Sequence, residues 1–160
     1  MYLFSIMKLA LYFEAQTFVR DYENYDTIKK AFISLFSFDF RENKVMIAEE
    51  VAHGFNEKRI KILTLSLKKE SLINKVLKDI FSKMSKADIK TIINSLPTRL
   101  DEDYNFFFRL DKAALIDSKL ILTDSGDCVH FKVSIAAYPK TLESSIEKMD
   151  NYLSAFIKEK

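Results

Sequence analysis

The sequence predicts an α+β fold, a mainly antiparallel sheet packed against helices, and three observations carry that expectation. Apolar and polar residues alternate with period 2 in well-separated stretches, most clearly at 8–19 and 128–138. Apolar residues at helical spacing fill 72–84, 89–96 and 142–156. Their order along the chain is strand, helix, strands, helices, strands, helix.

The first strand is predicted over Lys8–Val19, where Leu9, Leu11, Phe13, Ala15, Thr17 and Val19 alternate with Lys8, Ala10, Tyr12, Glu14, Gln16 and Phe18. Asn24 or Asp26 can cap a helix whose inner face is Ile28, Ala31, Phe32, Leu35 and Phe36. After the polar break at Arg41–Lys44, strands are expected over Val45–Val51 and Ile60–Leu67, joined as a hairpin through His53-Gly54-Phe55-Asn56. A helix follows with Leu72, Ile73, Val76, Leu77, Ile80, Phe81 and Met84 on one face. Ser85 begins another, with Asp88 in the reciprocal position of a capping box and Pro97 as its stop. Tyr104–Leu110 reads as a strand, and Ala113–Thr123 adds a short one around Leu120. The turn residues Asp124-Ser125-Gly126-Asp127 precede a long strand, Cys128–Tyr138. Pro139 ends that strand, and Thr141 caps a last helix faced by Leu142, Ile146, Met149, Leu153 and Phe156.

Size and composition set the frame. At 160 residues, 48% hydrophobic and with only two Gly and two Pro, the chain reads as a single domain over 1–160. Fourteen Phe and seven Tyr supply large buried areas where Trp is absent. One cysteine, Cys128, excludes an internal disulfide framework and fits a reducing cytoplasm. The apolar run Met1–Ile6 is too short for a signal-peptide core, and no later stretch reaches eighteen uncharged apolar residues, so no membrane association is expected.

The chemistry-bearing residues are sparse. His53 and His130 lack ligand spacing, and two glycines 72 positions apart make no phosphate loop. Glu49 and Glu50 are adjacent in a strand and point to opposite faces. Asp101–Asp103 and Asp124 with Asp127 sit at turns, where such residues bond local backbone. A metal-dependent hydrolase using Asp101, Asp103 and Asp124 is therefore a remote reading. Neither a catalytic residue nor a cofactor is expected, and Cys128 reads as a small buried hydrophobe.

Binding has better support. Net charge is only +2, but residues 57–100 hold 11 Lys/Arg against 4 Asp/Glu, a balance of +7. Residues 1–56 hold 6 against 8 and residues 101–160 hold 8 against 11. Strand alternation places Phe107 with Arg109, and His130 with Lys132, Ser134 and Tyr138, while Lys8, Tyr12, Gln16 and Phe18 oppose the apolar side of the first strand. If these faces coincide, rings lie among cations, a surface suited to stacking on bases and contacting phosphates. Lys58, Arg59, Lys61, Lys68 and Lys69 add a basic hairpin. The alternatives are a lysine-rich solvated helix face and a second core layer of Tyr and Phe beneath helices.

Phe107-Phe108-Arg109-Leu110-Asp111-Lys112-Ala113-Ala114 resembles an aromatic-Arg-Leu-Asp-Lys-x-x-Ala signature, followed in order by Val129–Pro139 and preceded by Glu49-Glu50 with His53-Gly54-Phe55-Asn56. Together they resemble a family of small, mainly archaeal RNA-binding proteins, often labelled predicted exosome subunits, over about residues 7–156. The turn departs from the family pattern: Phe55 stands where a second Gly is usual, and Glu57 where a Pro is. The resemblance carries over Gly54, Asn56, Arg109, Asp111 and Lys112. It implies a fold similar to the large-subunit ribosomal protein L-five, and RNA binding without a known reaction. Arg109 and Lys112 would pair with phosphate, and Asp111 would orient a cation, cap a turn, or pair with Arg109.

The expectation is an RNA-binding accessory domain, linked to RNA processing, in which Lys58, Arg59, Lys61, Arg109, Lys112 and Lys132 contact backbone and Phe107 or Tyr12 stacks. The alternative is a protein-interaction subunit, a homodimer included, that uses exposed N-terminal aromatics such as Tyr2 and Phe4.

Overall fold

The computed structural model describes residues 8–53 and 58–158. Strands β1 (Ala10–Arg20), β2 (Ala48–His53), β3 (Arg59–Leu67), β4 (Asn105–Asp111) and β5 (Cys128–Ile135) form one sheet in the order β2-β3-β1-β5-β4. Every neighbouring pair is antiparallel, and the N-terminal strand lies at the centre. Six helices complete the described residues: α1 (Tyr25–Ile33), α2 (Glu70–Lys83), α3 (Lys86–Asn94), α4 (Leu96–Arg99), α5 (Lys112–Ile116) and α6 (Leu142–Lys158). This is the α+β architecture that the alternating and helical periods imply. Tyr2, Phe4 and the Gly54–Asn56 turn lie outside the described residues.

The helices pack against one face of the sheet. Phe13, Ala15, Leu63, Leu65, Phe106, Phe108, Phe131 and Val133 point into that layer and are fully buried. Phe108 stacks on Phe131 with ring centroids 4.5 Å apart, and Phe81 of α2 meets Phe108 at 5.2 Å. Each buried Phe contributes about 1.5–3 kcal/mol of apolar burial, so these ring contacts fix the layer spacing. Lys148 of α6 donates to the carbonyls of Lys8 and Ala136, which ties the last helix to the start of β1 and the end of β5.

Several elements differ from their expected form for local reasons. Pairing of β1 with β5 shifts register between Ala10 and Tyr12, so Ala10 is buried and Leu11, expected inward, is 50% exposed. Strand β2 starts at Ala48 and not Val45, because Lys44 takes a positive φ of 55° and Val45 N–H closes a turn onto the Phe40 carbonyl. Ala113–Ile116 is helical, with Asp111 as N-cap accepting from Ala114 N–H at 2.9 Å. The strand expected around Leu120 survives as a single bridge, Leu110 to Leu122, along the outer edge of β4.

Ser85 caps α3 as its sequence suggests, yet the Asp88 carboxylate does not complete the box; it accepts from Leu122 N–H at 3.0 Å. Pro97 sits in the first turn of α4 and so begins a helix. Strand β5 ends at Ile135, leaving Tyr138 99% exposed. Thr141 does cap α6, accepting from Ser144 N–H at 3.1 Å, while Leu142 faces solvent and Ser145 takes the buried position.

Candidate nucleic-acid interface

The second face of the sheet carries no helix among the described residues. Strand parity and register bring Phe107 and Arg109 of β4 beside Lys132 and His130 of β5, and these beside Glu14 and Gln16 of β1. Phe107, His130 and Lys132 are half-buried, while Arg109 is exposed. The Phe107 and His130 rings lie 5.5 Å apart at a 35° tilt. Arg109 Nη1 donates to the Asp124 carbonyl at 3.1 Å, which holds the guanidinium at the edge of the face. Tyr12 donates to Glu14 at 2.9 Å and accepts from the Ser66 hydroxyl at 3.0 Å, and Gln16 donates to Thr64 at 3.1 Å. Phe18, 40% exposed, continues the row toward the end of β1. The rings that alternation assigned to this side thus stand on an open surface and not beneath a second helical layer.

Electrostatics follow from the same neighbours. Burial, with help from Arg109 and Lys132, holds the His130 imidazole below its ordinary pKa, and Glu14 opposes them in part. At neutral pH the ring is therefore uncharged and presents a π-face. Burial likewise raises the Cys128 thiol despite the nearby Arg109 and Lys112, so it is poorly suited to a thiolate role. No group of three or more metal-ligating side chains gathers among the described residues.

The expected contact residues divide into three places. Phe107, Arg109 and Lys132 share the open face. Arg59 and Lys61 belong to β3 positions of the opposite parity: Lys61 is registered with core-facing Val19, and its ammonium lies 4.2 Å from the Tyr25 ring centroid. Lys58 is exposed just before β3. Lys112, expected at phosphate, is instead 3% exposed. Its ammonium donates to the Phe18 carbonyl at 2.8 Å and to Glu23 at 3.0 Å, and pairs with Asp127 at 3.0 Å. Three oxygen partners replace the water it has lost, so it is a structural cation. Asp111 caps α5 and forms no ion pair with Arg109 among those of the described residues.

Sequence reasoning passed over Arg20 and Tyr25. Arg20 pairs with Asp127 at 3.3 Å and Glu23 at 3.7 Å, and the Tyr25 hydroxyl donates to Glu49. The Asp127 and Glu49 partners have no sequence signal, because each lies on a segment brought close only by the fold, whereas Glu23 is three residues from Arg20.

The described residues thus form an α+β protein whose sheet leaves one face without a helix, with the Phe107 and His130 rings beside Arg109 and Lys132 on it. The model of a family described as RNA binding matches residues 12–135, and the chain belongs to that family. An RNA-binding protein of Pyrococcus abyssi is 21% identical over 138 residues, covering 86% of this chain and 90% of its own. Among solved structures, a DUF54 protein of Archaeoglobus fulgidus aligns with a TM-score of 0.78 at 25% identity, over 91% of this chain and 99% of that one. A DUF54 protein of Methanothermobacter thermautotrophicus aligns at 0.73 with 20% identity, over 91% and 98%. A Methanococcus jannaschii UPF0201 protein shares the fold more distantly, at 0.57 and 16% identity over 94% and 96%. No helix among the described residues is long and apolar enough to cross a membrane.

Proposed function

We propose that this protein binds single-stranded segments of RNA on the helix-free face of its sheet and acts by binding, without a chemical step. One observation carries the reading: Phe107 and His130 present adjacent rings flanked by Arg109 and Lys132 on a face that no described helix covers. Same-face residues along a strand are about 7 Å apart, so successive unstacked bases can meet successive side chains. The rings supply stacking that tolerates any base, and the two cations meet phosphate oxygens, which fixes position without reading sequence. Family membership and the name of the Pyrococcus relative support RNA as the ligand class. A place beside RNA-processing enzymes, the exosome included, is supported by the resemblance at Phe107–Ala114 and is tested by co-elution with reconstituted exosome subunits.

Fluorescence anisotropy with a labelled single-stranded RNA across a salt series tests the binding reading. The expected result is affinity that falls steadily with salt and falls again in Arg109→Ala with Lys132→Ala. Absence of binding at low salt by folded protein would overturn it and move any RNA contact to a partner protein.

A further inference from the structure

A cleft of about 430 Å3 opens on the opposite side of the sheet, lined by the end of β1, the start of α1 and the β2–β3 hairpin. Its apolar wall is Val19, Tyr25 and Val51, and Arg59 and Lys61 supply cations to it. Neither Arg59 nor Lys61 has a carboxylate within ion-pair distance among the described residues. Lys61 rests on the Tyr25 ring, and the ring itself is held in place by its hydroxyl bond to Glu49. The acids nearby leave this positive charge largely intact: Glu23 is already engaged by Arg20 and Lys112, which leaves Asp21 alone among the lining carboxylates. A volume of this size holds a small ligand, and its ring-and-valine wall beside unpaired cations matches a base joined to a phosphate.

We infer that this cleft accepts one nucleotide of the bound RNA, its base against Tyr25 and Val51 and its phosphate between Arg59 and Lys61. The inference rests on the RNA-binding reading and extends it to a second contact. Lys61 exchanges the weak attraction of the Tyr25 ring for a charge-assisted bond to phosphate, and so uncovers the ring for the base. The route between the two contacts is short. Phe18 lies on the open face and Arg20, two residues later, lines the cleft, about 7 Å further along β1. A strand leaving the open face at Phe18 therefore turns over the end of β1 and enters the cleft. A short oligonucleotide is held by the open face alone, and only a longer one reaches both.

The test compares single-stranded RNAs of about 5 and about 15 nucleotides, lengths that bracket single-contact and two-contact binding. Arg59→Ala with Lys61→Ala, and separately Val51→Glu, should weaken the longer RNA about tenfold and leave the shorter within about twofold. All three substitutions are at exposed hairpin positions, so folding is expected to persist. As a direct readout, 4-thiouridine in the longer RNA should crosslink to peptides containing Tyr25 or Val51. Equal loss at both lengths, or loss at neither, overturns the cleft inference and leaves the open-face reading standing. Longer RNA that depends on Arg59 and Lys61 but not on Phe107 or Arg109 sinks the open-face reading and keeps the cleft. Wild-type protein that holds neither RNA removes both.

Discussion

The Lys112 ammonium sits among the Phe18 carbonyl, Glu23 and Asp127, with Arg20 reaching the same two carboxylates. Lys112→Met would leave Glu23 with Arg20, at 3.7 Å, as its remaining ion-pair partner, and removing one partner of a buried ion pair typically costs about 3–5 kcal/mol. Because Asp127 is half in water, the lower figure is expected, read as a reduced urea midpoint with an unchanged slope. Glu23→Gln in the same chain should recover part of that loss. His130 gives a second test. Its folded pKa lies below 6.5, so as pH falls the unfolded chain takes up that proton first. The stability contributed by the neutral ring is present above 6.5 and is lost as pH drops below it. Thermal unfolding between about pH 7 and pH 5 should therefore decline less steeply in His130→Gln than in the parent.

Strand β4 shows how a single element separates stability from binding. Phe108 is buried and stacked on Phe131, whereas its neighbour Phe107 faces the open side. Phe108→Ala should cost about 3–5 kcal/mol of folding free energy by opening a cavity. Phe107→Ala should cost far less in denaturation, yet weaken single-stranded RNA binding by about tenfold, since a base stack is worth roughly 1–3 kcal/mol. This division was legible in the sequence, because period-2 alternation fixes which side each residue takes. The beginning of β1 was not, because a register shift at Ala10 cancels the alternation for Leu11 and leaves no mark in residue type. Helix α5 is only five residues long, too short for a helical period to emerge, and its cap Asp111 looks the same as an ion-pair partner. The Asp88 bond to Leu122 was equally hidden, since a carboxylate three residues after a serine can serve either its own helix or a distant strand. Asp88→Ala should speed amide exchange at Leu122 without melting α3, whose cap is the Ser85 hydroxyl.

Over the whole molecule, charge segregation was readable and its placement was not. Whether the basic stretch 57–100 shares a surface with Arg109 and Lys132 was open in the sequence; topology sends Arg59 and Lys61 to the opposite side and buries Lys112. Which side each cation takes depends on pairings between strands far apart in the chain, and composition carries no information about them. If cations on both sides meet phosphate, removing two of them should reduce the slope of log affinity against log salt by about 1.4, whichever side they come from. The strand order has another consequence. Central β1 pairs on one side with β3 and on the other with β5, and Thr17 bonds the Cys128 carbonyl 111 residues away. A ribosome making this chain releases β1 several seconds before β5 exists, at usual synthesis rates of about 5–20 residues per second. Throughout that interval one flank of the central strand has no partner, and the nascent chain offers its backbone to any other strand nearby. Messages truncated or stalled before Cys128 should yield aggregates, because the product retains β1 and β3 but lacks the strand that seals them.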